Sequence, residues 1–381
     1  MIVVVTDPIG LQERWLDHYA EIVVADLMLA ADLYFNYKDR PAFLMSSLFH
    51  AQQAAEKSVK LLFLARGLVK PDKLKELGHS PLINILNKAA GKASDIIKYM
   101  RGQALDELTI RTKNEFTKLK GELERIRKWL KDSSCVKKTL SALDIKIDID
   151  PGVLKSLSNL LEDMARDPGI GGYIQAQLLL SELGWQLIRE LVERSSSHGK
   201  IFALKEPLSS ELVAQIASGI KEVLTWEYVQ KQLDSIWSSP TKSLEQLIRV
   251  LPSNALELMR SMSRDPKALY KILVAGDDER ERIRLMGITL LTFSAFGSYQ
   301  LADGKPLLDH VLCLDPFSEC GRYVEADDSK TVLDLVIEKR EAVGMLVLSA
   351  ELWSLYPYAY YHLLKVIGEA QTTLQANATG T

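Results

Sequence analysis

Residues His50–Gly67 read H-A-Q-Q-A-A-E-K-S-V-K-L-L-F-L-A-R-G, and after a short basic connector Gly78–Leu86 read G-H-S-P-L-I-N-I-L. Ala51, Ala54 and Ala55 recur at helical spacing with Val59, Leu62 and Phe63, so one face of this helix is small enough for a second backbone to approach closely. Gly67 ends the helix, because glycine enters a left-handed turn without the clash a side chain would meet. Ser80 and Pro81 then start another: the hydroxyl can cap free amides, and proline has no amide to leave unpaired. The stretch predicts a long helix, a basic turn and a short helix.

The same punctuation recurs along the chain and predicts an all-α fold. Helices are expected from about Leu11 to Tyr37, Pro41 to Arg66, Pro81 to Gly91 and Gly102 to Lys131, which together make a four-helix first domain over residues 1–138. Residues 139–150 read as a linker, with I-K-I-D-I-D alternating as a short strand or extended segment would. Residues 151–370 then form a larger, mostly helical domain with room for a short hairpin near Asp327, and residues 371–381, rich in Thr, Ala and Gly, read as a disordered tail. Helices in the second domain are expected from Asp150-Pro151, where Leu154, Leu157, Leu160, Leu161 and Met164 line one side, and over Tyr173 to Glu193, Ser210 to Trp226, Leu244 to Leu251, Ala255 to Ser261 and Pro266 to Val274. Leu285 to Ala302 carries no charge, but its hydroxyls and two glycines mark it as a buried core helix and not a membrane span.

The residues Ala51, Gln53, Ala54, Glu56, Lys57 and Lys60, followed by His79 and Pro81-Leu82, match an A-x-Q-A-x-E-K-x-x-K core with a later histidine and leucine. This pattern resembles the HEPN domain (higher eukaryotes and prokaryotes nucleotide-binding), a small helical bundle, over roughly residues 13–132. The resemblance implies a bundle that pairs with a second copy through its small-residue helix, and a role in RNA binding, defence or stress regulation. Many members of that family are metal-independent ribonucleases whose last helix carries an arginine, four to six residues and a histidine; the arginine steadies a phosphate while the histidine moves a proton. The expected helix from Gly102 to Lys131 has arginines and no histidine, which implies a non-catalytic member. The nearest approximation, Arg194-Ser-Ser-Ser-His198, is one residue too short and lies on another helix. His79, Arg194 and His198 are thus the catalytic candidates if the chain is instead an atypical ribonuclease.

Charge separates the two halves. Residues 1–138 carry 23 Lys+Arg against 17 Asp+Glu, net +6, and residues 139–381 carry 24 against 33, net −9, which sums to the −3 of the whole chain. The excess concentrates between Arg111 and Lys138, giving a helix with a positive face. Arg111, Lys118, Arg125, Lys128 and Lys131 are the candidate nucleic-acid contacts, since such a face attracts phosphates by releasing counterions. Docking onto an acidic protein surface, including the second half of this chain, and a plain solvated helix edge laced by pairs such as Glu124 with Lys128 fit the same run.

At 381 residues and 47% hydrophobic composition the chain has the profile of a globular protein with a sizeable core. The opening M-I-V-V-V is too short for a leader or membrane anchor, and three cysteines are too few for a disulfide scaffold, so a cytoplasmic protein with reduced thiols is expected. Gly169, Gly171 and Gly172 lack the strand and the lysine-hydroxyl ending of a phosphate loop, and no cofactor is called for. His310, Cys313 and Cys320, with a carboxylate from Asp309, Asp315 or Glu319, are candidate zinc ligands, but H-x-x-C followed seven residues later by Cys matches no common module, and ordinary buried cysteines are the simpler reading. Trp353, Tyr356, Tyr358, Tyr360 and Tyr361 read as core packing around Pro357.

Overall fold

The computed structural model describes residues 8–74, 82–93, 107–167, 170–195, 208–239, 249, 253–276, 278–320, 326–327 and 330–379. It is all-α. The helices in chain order are α1 (Pro8–Tyr37), α2 (Pro41–Ala65), α3 (Leu82–Ala93), α4 (Glu107–Asp132), α5 (Cys135–Leu143), α6 (Pro151–Arg166), α7 (Gly171–Ser195) and α8 (Ser210–Val223). There follow α9 (Trp226–Ser238), α10 (Ser253–Arg264), α11 (Pro266–Leu273), α12 (Glu279–Gly297), α13 (Leu307–Leu312), α14 (Phe317–Cys320), α15 (Val332–Glu338) and α16 (Arg340–Thr379). Between α14 and α15 a two-residue antiparallel hairpin pairs Ala326 with Thr331 and Asp327 with Lys330.

Polar caps and prolines set the helix starts as the sequence suggests. Asp150 accepts the amide of Gly152 ahead of Pro151, Asp265 does the same for Lys267 ahead of Pro266, and Pro41 follows an extended Arg40. Gly67 ends α2 at φ +67°, and a β-carbon there would sit 3.2 Å from the carbonyl oxygen of Ala275. That close approach lets the amide of Ala275 bond the carbonyl of Arg66 at 2.9 Å, tying the end of α2 to the loop before α12. Ser210 to Trp226, expected as one helix, is interrupted: α8 ends at Val223, and the Thr225 hydroxyl accepts the Tyr228 amide to open α9. The expected helix at 244–251 lies almost wholly outside the described residues.

One helix organises the packing. Every residue of α16 from Leu346 to Leu364 is buried, so this segment has no wet face and must be surrounded. It packs on α1, α2, α7, α8, α11 and α13. All five aromatic residues between Trp353 and Tyr361 are buried in it. Beyond the core α16 continues to Thr379, so 371–379 is helix and not the expected disordered tail. Ala, Gln and Leu there are good helix formers, no breaker precedes Gly380, and the hydroxyls of Thr372 and Thr373 bond the carbonyls of Gly368 and Glu369.

The first four helices are not a closed set. α1 and α2 pack on each other and on α16, whereas α3 and α4 pack on each other, on α12 and on α6. A single apolar core runs from Leu16 to Ile367, so the expected boundary between 1–138 and 151–370 is not a gap in the packing. Residues 144–150 are extended, as their alternation predicts, but they are packed: Ile145, Ile147 and Ile149 are buried while Lys146, Asp148 and Asp150 face out. Lys305 reaches the carbonyl of Ile145 at 2.5 Å, and Asp309 accepts the amide of Ile149 at 3.1 Å.

The cysteines depart from expectation too. Cys135 on α5 and Cys320 on α14 form a disulfide across 185 residues, because both short helices pack together beside α2, a proximity their spacing does not reveal. Cys313 is the one free cysteine, and it is buried.

Candidate nucleic-acid interface

The α4 helix has one apolar stripe, Phe116, Leu119, Leu123, Ile126 and Leu130, buried against α3 and α6. Its other faces carry the charge, and they divide into two. Arg111 pairs with Asp163 of α6, Lys118 with Glu115 at 2.9 Å, and Arg125 with Glu122 at 2.8 Å and with the carbonyl of Asp148. Three of the five expected contacts therefore serve the protein itself. Lys128 and Lys131 lie elsewhere, on an exposed row with Lys113, Lys120 and Arg127. Lys113, Lys120 and Arg127 recur every seven residues, close to two helical turns, and Lys131 follows Arg127 by four, so they line up along the axis. Two exposed acids lie beside the row: Glu124, 3.7 Å from Lys120, and Asp132, four residues after Lys128.

Beside the end of this row lies a cleft of about 280 Å³ whose lining includes Arg127, Lys131, Lys138, Asn84 and Glu319. Lys138, nearly buried, pairs with Glu319 at 3.2 Å. Among the described residues the acidic half of the chain reaches the positive run at three points, Asp163 on Arg111, the Asp148 carbonyl on Arg125 and Glu319 on Lys138, and leaves the outer row exposed.

The motif residues of α2 are structural. Glu56, 3% exposed, accepts Lys60 at 2.5 Å and Gln52 at 3.2 Å, and Asp26 of α1 accepts both His50 at 3.0 Å and Lys57 at 2.5 Å. Burial, with the carboxylates of Glu56 and Asp26 nearby, pushes the Tyr19 phenol upward. The two bonds to Asp26 fasten α2 to α1, and those to Glu56 lie within α2. The small-residue face is equally occupied: Ala51 and Ala54 are fully buried within their own chain, so it does not offer the dimer surface expected of it.

The remaining candidates are described only in part. Arg194 pairs with Glu190, which also accepts the Tyr228 hydroxyl at 2.7 Å; His198 and His79 lie outside the described residues. His310 is fully buried, with Nδ1 2.9 Å from the Pro306 carbonyl and Nε2 2.9 Å from Asp303. The Cys313 thiol, pushed upward by burial, faces the Ile147 carbonyl at 3.6 Å, and Cys320 is consumed by its disulfide. Among the described residues no group of three such side chains is placed to hold a metal ion, so the His310, Cys313 and Cys320 set is not a metal site. Nor, among them, is any helix long and apolar enough to cross a membrane.

Comparison with family models, with curated proteins and with solved structures finds no match to this chain.

Proposed function

We propose that this chain is a non-catalytic, HEPN-like RNA-binding protein whose contact surface is the outer row of α4. The observation that carries the reading is the set of five cations, Lys113, Lys120, Arg127, Lys128 and Lys131, exposed among the described residues with Glu124 and Asp132 as the acids beside them on the helix. A row of this kind tracks a phosphate backbone without reading bases, because each cation releases a condensed counterion. Base selection would fall to the adjoining cleft, where Asn84 offers both a donor and an acceptor.

Fluorescence anisotropy with a labelled single-stranded RNA tests this. Five cations less two acids give about three neutralised phosphates, and a single strand loses affinity with a log-log slope near −0.7 per phosphate, so the slope is about −2.1 and binding weakens roughly 20-fold between 50 and 200 mM salt. The RNA should stay intact in chelator. Binding without salt dependence, or metal-independent cleavage lost in His79→Ala or His198→Ala, would replace this reading with a protein-docking or a ribonuclease one.

A further inference from the structure

We propose that His50 is a phosphoryl-accepting histidine: its Nε2 takes a phosphoryl group from a small donor with a labile P–N bond, while Asp26 of α1 holds the ring through Nδ1. Asp26 uses its two oxygens separately, Oδ1 lying 3.0 Å from His50 Nδ1 and Oδ2 accepting Lys57 Nζ at 2.5 Å. His50 and Lys57 stand seven residues apart, close to two turns, so one face of α2 presents both to the same carboxylate. A carboxylate only accepts, so Nδ1 carries the proton and Nε2 of the neutral ring keeps its lone pair. The His50 side chain is 27% exposed, and its Nε2 meets no hydrogen-bond partner among the described residues.

The neighbouring groups select the electrophile. An imidazole that has bonded through Nε2 becomes cationic, and the hydrogen bond from Nδ1 to Asp26 offsets that charge as it develops. An acyl group would need backbone N–H donors for its oxyanion, yet His50 lies inside α2, where the amides are bonded within the helix. A phosphoryl group brings its own negative charge and needs a cation instead. Lys57 supplies it: its ammonium spends one N–H on Asp26 and has others for phosphate oxygens. With phosphoramidate as donor, Nε2 attacks phosphorus, the P–N bond breaks with its electron pair going to nitrogen, and ammonia leaves. The ring retains its Nδ1 proton and faces Asp26 as an imidazolium. None of the α4 cations takes part, so the site does not depend on the RNA reading.

Phosphoramidate incubated with the folded chain, followed by tandem mass spectrometry for the site and phosphorus NMR for the nitrogen that is modified, tests this. If exposure alone governed labelling, His18, whose side chain is 76% exposed, would react before His50. The expected result is the reverse, with His50 labelled at least about 10-fold faster and on Nε2, since a hydrogen bond to a charged partner is among the stronger ones. His50→Gln should remove that product. Asp26 acts here as a positioning residue: Asp26→Asn, which keeps an oxygen for the ring but not the charge, should slow His50 labelling about 10-fold or more. Asp26→Ala, which frees Nδ1, should spread the label over both nitrogens, a change that loosened packing alone does not give. If neither Asp26 variant folds, the wild-type contest between His50 and His18 decides. Labelling of His18 as fast as His50, a wild-type product on Nδ1, or an unchanged rate in folded Asp26→Asn would overturn the proposal.

Discussion

Asp315 fastens the start of α3 from more than two hundred residues away, and removing its carboxyl group should cost the protein several kcal/mol. Its Oδ1 accepts the amide of Leu82 and its Oδ2 that of Ile83, both at 2.7 Å, and the side chain is 2% exposed. These are first-turn amides with no partner inside their own helix. In Asp315→Ala both lose their acceptor in a buried setting, at about 1–3 kcal/mol each, so about 4 kcal/mol in all. Asp315→Asn keeps one oxygen and turns an amide group toward the other N–H, which should cost about half as much. With an unfolding entropy of about 2.1 cal/mol/K per residue, a chain of 381 residues loses roughly 5 °C of melting temperature for 4 kcal/mol. Thermal melts followed by circular dichroism give the first number, and hydrogen exchange at the Leu82 and Ile83 amides gives the local one. The pH dependence is a second check. Burial pushes the Asp315 carboxyl up to about 8 against the pull of its two N–H bonds, so the folded state holds a proton that the unfolded state releases near 3.8. Its stabilisation is complete below pH 3.8 and is lost as pH rises through 8; Asp315→Asn should flatten that decline. A melting temperature within 1 °C of wild type in Asp315→Ala, with unaltered exchange at both amides, would refute the long-range cap.

Denatured but unreduced protein should show one titratable thiol, Cys313, and reduction should lower stability by up to about 5 kcal/mol, the chain-entropy figure for a 185-residue loop; three thiols would refute the bond. Replacing Arg127, Lys128 and Lys131 together with Ala should make the RNA salt slope about 2 less steep, whereas Arg111→Ala, which opens an internal pair, should leave the slope unchanged; equal effects in both would dissolve the distinction between the two faces of α4. Burial lowers His362 to about 4, so the unfolded chain takes up a proton from pH 6.5 downward that the folded chain refuses: its contribution is complete above 6.5 and about 3 kcal/mol is lost as pH falls through 4, a decline that His362→Gln should blunt in denaturant titrations. Glu351, buried and accepting the amide of Leu208 at 2.8 Å, is held well above the ordinary range, so Glu351→Gln should abolish a loss of stability on raising pH above 4.5 and cost little at low pH.

Local features were the readable ones. Pro41, Pro151 and Pro266 open their helices, Gly67 closes α2, and the alternation of Ile145, Ile147 and Ile149 marks an extended segment, because each signal acts within a few residues. What joins distant segments was not readable. Nothing in the spacing of Cys135 and Cys320, or of Asp315 and Leu82, announces that they meet, and the sharing of α1 to α4 between two sides of the core depends on a helix more than two hundred residues later. The start of α12 was missed for a different reason: the sequence drew attention to its uncharged run from Leu285, while Asp278 caps a charged first turn at Arg280. In the candidate interface, residue type found Lys128 and Lys131 but also chose Arg111, Lys118 and Arg125, which neighbouring acids claim. The seven-residue recurrence of Lys113, Lys120 and Arg127 is the signal that separates the rows.

The burial of α16 on all sides bears on how the polypeptide reaches its shape. A ribosome releases this helix after every other described element, yet α1, α2 and α7 each press a surface against it. During synthesis those surfaces have nothing to close on, so the nascent chain must wait, oily and incomplete, until its keystone arrives. A stalled or prematurely ended message would leave such a chain exposed to aggregation or proteolysis, and the cell would read the loss of this late helix as loss of the whole protein.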